Sequence, residues 1–127
     1  MNQEISFKLE ELNRQSQEIS ERLKIVEQQL LELQNFERNL KELENSKETE
    51  VLASLGKGVF IKTDMKKEDL FVEVGSGILV KKSLEESKKI AEQQSKKLNE
   101  MKMQLSIQNA SISEKMKSLL HEIANSK

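Results

Sequence analysis

Cysteine, proline, tryptophan and tyrosine are absent from the 127 residues, and there is one histidine, His121. Without cysteine there is neither disulfide nor thiolate chemistry, which fits a reducing compartment. Charge of one sign is also missing. The 21 basic and 22 acidic side chains leave a net charge of -1, so no overall field draws the chain to nucleic acid or an anionic membrane, and no local basic patch replaces it. No apolar run approaches the ~20 residues of a membrane span. Met1-Asn2-Gln3-Glu4 lacks the basic-then-apolar order of a signal peptide, so the expectation is a soluble, cytoplasmic protein with no nucleic-acid and no membrane partner.

Catalytic sets are equally scarce. No serine sits in a nucleophile-elbow or lysine-dyad pattern, and Gly56-Lys57-Gly58 is neither Gly-x-Gly-x-x-Gly nor a phosphate loop. Asp64, Glu68 and Asp69 lack EF-hand spacing and alternate with Lys66 and Lys67, as in an ordinary turn of mixed charge. The chain is therefore expected to be no enzyme and to carry no cofactor and no metal.

What is present is a helix-forming composition, 34% charged and 35% apolar, in a chain no longer than one domain. All four glycines, Gly56, Gly58, Gly75 and Gly77, fall in a 22-residue middle section, leaving two glycine-free arms. In the first arm Ile5, Leu9, Leu12, Ser16, Ile19, Leu23, Val26, Leu30 and Leu33 follow steps of 4 and 3, the seam of a heptad helix. The step from Leu33 to Phe36, continued by Leu40 and Leu43, reads as an insertion of three residues that overwinds the coil. An arm of about 45 residues is roughly 70 Å long.

The second arm opens with Ser83-Leu84-Glu85-Glu86, a capping box. Its expected seam is Ser87, Ala91, Gln94, Leu98, Met101, Leu105, Gln108 and Ile112, then Met116, Leu119 and Ile123 after one extra step of 4. This polar seam would be marginal alone and needs the Leu-rich first arm. Charge agrees: residues 1–50 hold 12 acids and 7 bases (net -5), and residues 83–127 hold 6 acids and 8 bases (net +2). Antiparallel pairing buries both seams.

Between the arms Val51–Leu55, Val59–Lys62, Leu70–Val74 and Ile78–Lys81 read as short strands joined by Gly-x-Gly hairpin turns. Leu55-Gly56-Lys57-Gly58-Val59-Phe60-Ile61-Lys62 repeats as Val74-Gly75-Ser76-Gly77-Ile78-Leu79-Val80-Lys81 at an offset of 19, implying two equivalent hairpins. The expected fold class is α+β: two long helices forming an antiparallel coiled coil, joined by two β-hairpins. The corresponding segments are 1–49, 50–82 and 83–127. Two hairpins cannot build a stable sheet core alone, so their edges and apolar residues are expected to pair with other subunits in an intersubunit β-barrel. The residues expected at that interface are Val59, Ile61, Val72, Val74, Ile78 and Val80.

This layout, and above all residues 55–62 followed by 70–82, resembles the alpha class of prefoldin subunits, in which two glycine-turn hairpins lie between coiled-coil arms and the beta class has one. The sharp motif covers residues 55–82 and the architecture covers the whole chain. Ser54 stands where many members have proline, at a strand position. The short length without a tail is similar to archaeal subunits. The resemblance implies a hexamer with prefoldin beta-type subunits, two alpha and four beta, whose hairpins form a double β-barrel platform. It further implies ATP-independent capture of non-native polypeptides at the coiled-coil tips and transfer to a group II chaperonin.

The tips are then the chain ends, where antiparallel pairing brings Ile5, Phe7, Leu9 and Leu12 near Met116, Leu119, Leu120 and Ile123. These eight are the candidate client-binding residues. Ile5, Leu9, Leu12, Leu119 and Ile123 fall on the seam, where coiled-coil core is the plainer role. Phe7 and Leu120 fall off it and are the stronger candidates, although Ile25, Leu31, Ile90, Met103 and Ile107 are off-seam in mid-arm too. Met101, Met103 and Met116 could add an adaptable lining. The competing reading is a structural coiled-coil scaffold or tether, which would need no paired hairpins.

Overall fold

A computed structural model describes residues 3–47, 49–65 and 70–125. In chain order these form α1 (Gln3–Asn45), β1 (Glu50–Gly56), β2 (Val59–Asp64), β3 (Leu70–Gly75), β4 (Ile78–Lys82) and α2 (Leu84–Asn125). The mixed-charge turn is represented by Asp64 and Met65, while Lys66, Lys67, Glu68 and Asp69 lie outside the described residues. The chain divides into two compact units. One joins α1 through Glu32 to α2 from Ser95, and the other runs Leu33–Gln94.

In the first unit the helices pair antiparallel around Ile19, Val26, Leu30, Leu105 and Ile112, flanked by half-buried Leu12, Leu23, Leu98 and Met116. On α1 each expected seam residue from Ile5 to Leu30 is buried or half-buried. On α2 the seam differs from expectation. Gln94, Met101 and Gln108 are exposed, whereas Ser95 and Asn109 are half-buried. With Ser95 and Asn109 as members, one heptad phase runs through Ala91, Leu98, Leu105, Ile112, Met116, Leu119 and Ile123, and no extra step is needed. The reason is pairing across the helices: the Ser16 hydroxyl donates to Asn109 Oδ1 at 3.4 Å, so two polar residues form a layer inside an apolar seam.

The second unit corrects the expected insertion in α1. Leu33 and Leu40 are buried, Glu37 between them is half-buried, and Phe36 is 42% exposed. The heptad phase therefore continues through Glu37, whose aliphatic stem can line the seam while its carboxylate reaches water. On α2, Ser87 and Ala91 are buried. Their small side chains face Leu-rich α1 where Lys88 pairs with Glu44.

Among the described residues Ser87 Oγ has no hydrogen-bond partner, at 2% exposure. A buried hydroxyl left unpaired costs roughly 1–3 kcal/mol, so Ser87→Ala is expected to raise stability by about 1 kcal/mol. An upward shift of the thermal midpoint checks this, and a fall would mean that the hydroxyl is satisfied by water.

The start of α2 is the capping box. The Glu86 amide donates to Ser83 Oγ at 3.1 Å, and the Ser83 hydroxyl donates to Glu86 Oε1 at 3.2 Å. The Ser83 hydroxyl, then its backbone amide, and then the charge of Lys82 hold the Glu86 carboxyl below the usual glutamate range. A depressed carboxyl contributes stability that is present above its unfolded pKa of about 4.3 and is lost as pH falls through the folded value. Amides in the first turn of α2 are thus expected to lose protection, relative to their intrinsic exchange rates, below about pH 4, and Glu86→Gln should flatten that dependence. Protection that stays constant across this window in the parent would contradict the cap.

The hairpins are separate two-stranded antiparallel sheets. In β1–β2, Ala53 faces Ile61 and Ser54 faces Phe60; in β3–β4, Val72 faces Val80 and Glu73 faces Leu79. Both contain a register shift just before the turn, between Ser54 and Gly56 and between Glu73 and Gly75. The repeat is thereby visible in three dimensions. Each loop has two central residues at positive φ, Lys57 (51°) with Gly58 (77°) and Ser76 (51°) with Gly77 (75°). That is the primed turn whose twist matches the strands. The middle residue of each Gly-x-Gly triplet is thus also left-handed, which the glycines alone did not announce.

Candidate functional site

Near the chain ends, α1 and α2 enclose an open apolar groove of about 610 Å3. Of the eight candidate residues, Phe7, Leu12 and Leu119 line it, together with Lys8, Glu11, Ser111, Glu114, Lys115 and Ser118. Ile5, Leu9, Met116 and Ile123 are half-buried in or beside the seam and do not line it. Leu120 also lies outside the groove, yet is 55% exposed; Phe7 is 70% exposed. Phe7 and Leu120 are thus both exposed apolar residues off the seam, but they do not share one site.

Both helices bring charge to the groove, Lys8 and Glu11 from α1 and Glu114 and Lys115 from α2. Arg14 Nη1 donates to Glu18 Oε1 at 2.6 Å and Nε donates to Glu11 Oε2 at 3.2 Å. Hydrogen bonds from Arg14 and then Gln15 hold the Glu11 carboxyl below its ordinary range. The Glu11 and Glu18 charges are thus already engaged on the helix surface. His121 lies on exposed helix, its Nε2 3.0 Å from the Asn125 side-chain nitrogen. Among the described residues no group of three or more metal-ligating side chains comes together, and no helix is long and apolar enough to cross a membrane.

The hairpins carry the second candidate surface. Val59, Ile61, Val74 and Ile78 are exposed in the single chain. Val72 and Val80 face each other in the β3–β4 register and are half-buried. Leu52, Leu55, Phe60, Phe71 and Leu79 are exposed as well, outside the expected interface set. Phe60, Phe71 and Leu79 alternate with the expected positions along β2, β3 and β4, so apolar surface lies on both faces of those strands.

Paired helices with one open apolar groove, joined through hairpins that bury almost nothing in their own chain, define a coiled-coil subunit built to associate. The family description "Prefoldin subunit" matches residues 6–126, and the chain belongs to the prefoldin family of chaperone subunits. It is 31% identical over 81 residues to prefoldin subunit alpha of Methanosphaera stadtmanae, a match covering 64% of this chain and 59% of that protein's length. Its fold is similar to a cryo-EM structure of filamentous PFD from Methanocaldococcus jannaschii, with a TM-score of 0.73 at 23% identity over 89% of this chain and 95% of that one.

Proposed function

We propose that this chain is one subunit of a cytoplasmic hetero-oligomeric holdase that captures non-native polypeptides without ATP and passes them to a group II chaperonin. The exposed groove between Phe7, Leu12 and Leu119 carries the reading. A binder of many unfolded chains needs accessible, deformable apolar surface, and isolated patches of this kind on soluble proteins mark interaction sites. Residues 50–82 would serve assembly with beta-type subunits, in a hexamer of two alpha and four beta, because two-stranded hairpins are at best marginal in water and these expose most of their apolar side chains. In the assembly the hairpin edges would close into an intersubunit β-barrel, which removes the free strand edges.

The test is dilution of a denatured client into the complex formed with a beta-type subunit, in the absence of nucleotide. Light scattering should stay low in proportion to the complex added. Aggregation at the uncatalysed rate would overturn the holdase reading.

A further inference from the structure

Three hollows follow one side of the coiled coil in the first unit, and they form one groove. The hollow at the chain ends and the next share Ser111 and Lys115; the second and third share Arg22 and Gln108. Their volumes are about 610, 500 and 390 Å3, so each has room for a large side chain. The apolar floor passes from Leu12 and Leu119 to Ile19 and Ile112, then to Val26 and Leu105. It therefore advances by seven residues on both helices at every step, or about 10.5 Å.

That spacing selects the shape of the guest. In an extended chain residues three apart are separated by about 10 Å but point to opposite faces. In a helix residues seven apart are separated by about 10.5 Å and share a face. Only the helix sets a side chain into all three hollows. Exposed Ile107 lines the second hollow and exposed Ile25 the third, extending the apolar contact beyond the floor.

Charge adds a second constraint. Glu18 on the second hollow is held by Arg14. Arg22 and Lys115 line the same hollow, and neither has an ion-pair partner among the described residues. Two uncommitted cations beside the central station favour carboxylates flanking the guest's apolar stripe.

We propose that this groove binds an amphipathic helical segment of a non-native protein, with apolar residues at heptad spacing and Glu or Asp beside them, as a third strand of the coil. The proposal rests on the client-binding reading above and narrows the client class. It is tested on the assembled complex with three fluorescent peptides about four heptads long. One carries a heptad stripe flanked by Glu, one the same stripe flanked by Lys, and one the Glu composition rearranged as alternating apolar and polar residues. The Glu-flanked helix should bind about tenfold tighter than either other peptide, and the double variant Arg22→Glu, Lys115→Glu should reverse the preference between Glu and Lys flanks. Ile25→Ser with Ile107→Ser, at exposed positions, should weaken all binding without unfolding the coil.

Equal binding of the helical and alternating peptides overturns the helical guest, and an unreversed charge preference overturns the assignment to Arg22 and Lys115. If the two serine substitutions instead change the mass of the complex, the groove holds another subunit and the proposal fails. Client aggregation is followed with the same samples. Suppression that persists without any peptide preference defeats the groove proposal alone, whereas absent suppression defeats the holdase reading beneath it.

Discussion

Gly75→Val is expected to leave the coiled coil folded and to abolish assembly with a beta-type subunit. At φ 127° Gly75 occupies backbone that other residues adopt only under strain of about 1–3 kcal/mol, and a β-branched side chain sits at the upper end of that range. A Cβ there would meet nothing within 4 Å, so the effect is conformational and not a clash. It falls on a hairpin with little stability of its own, where about 1.4 kcal/mol is a tenfold change in population. Gly77→Val, at φ 75°, should act in the same direction, and Gly77→Asn should be milder because asparagine tolerates the left-handed region. Native mass measurement with the partner subunit distinguishes these outcomes. Normal assembly of both valine variants would remove residues 70–82 from the interface.

Removing residues 1–9 and 119–127 is expected to eliminate suppression of client aggregation while the complex keeps its mass. The deletion takes Phe7, Lys8 and Leu119 from the groove near the chain ends, and exposed Leu120 with them. It leaves Ile19, Val26, Leu30, Leu105 and Ile112 to hold the helices together, and it does not touch the hairpins. Phe7→Ser with Leu120→Ser is the finer test. Both side chains are mostly in water already, so folding stability should change by no more than about 0.5 kcal/mol while client protection falls. Charge reversal at Glu27 or Lys96 should matter far less. Full protection by the truncated complex would move client binding away from the chain ends.

The elements were legible because their signals are local. Heptad spacing announced α1, Ser83 and Glu86 announced the start of α2, and the Gly-x-Gly repeat announced both hairpins. The errors came where a polar residue holds a seam position. Glu37 is where a hydropathy pattern expects carbon, so the expected seam turns to Phe36, and on α2 it runs through Gln94, Met101 and Gln108 beside the half-buried Ser95 and Asn109; all four expected residues face water. Which polar residue a seam accepts depends on the residue opposite, and one strand of a pair does not contain that information. The candidate site was legible in part for the same reason. Phe7 and Leu120 could be recognised as off-seam, but that Phe7 joins Leu12 and Leu119 in a groove and Leu120 does not is a property of two helices together.

The layer formed by Ser16 and Asn109 has a consequence for how the two helices find their alignment. A coil with one repeating seam could slide by a whole heptad and still match carbon to carbon. Such a slide would set Asn109 against Leu9 or Leu23 in place of Ser16 and strand its amide, at roughly 1–3 kcal/mol. A misaligned pair of helices is therefore penalised as it forms, so α1 and α2 reach one alignment instead of several that compete.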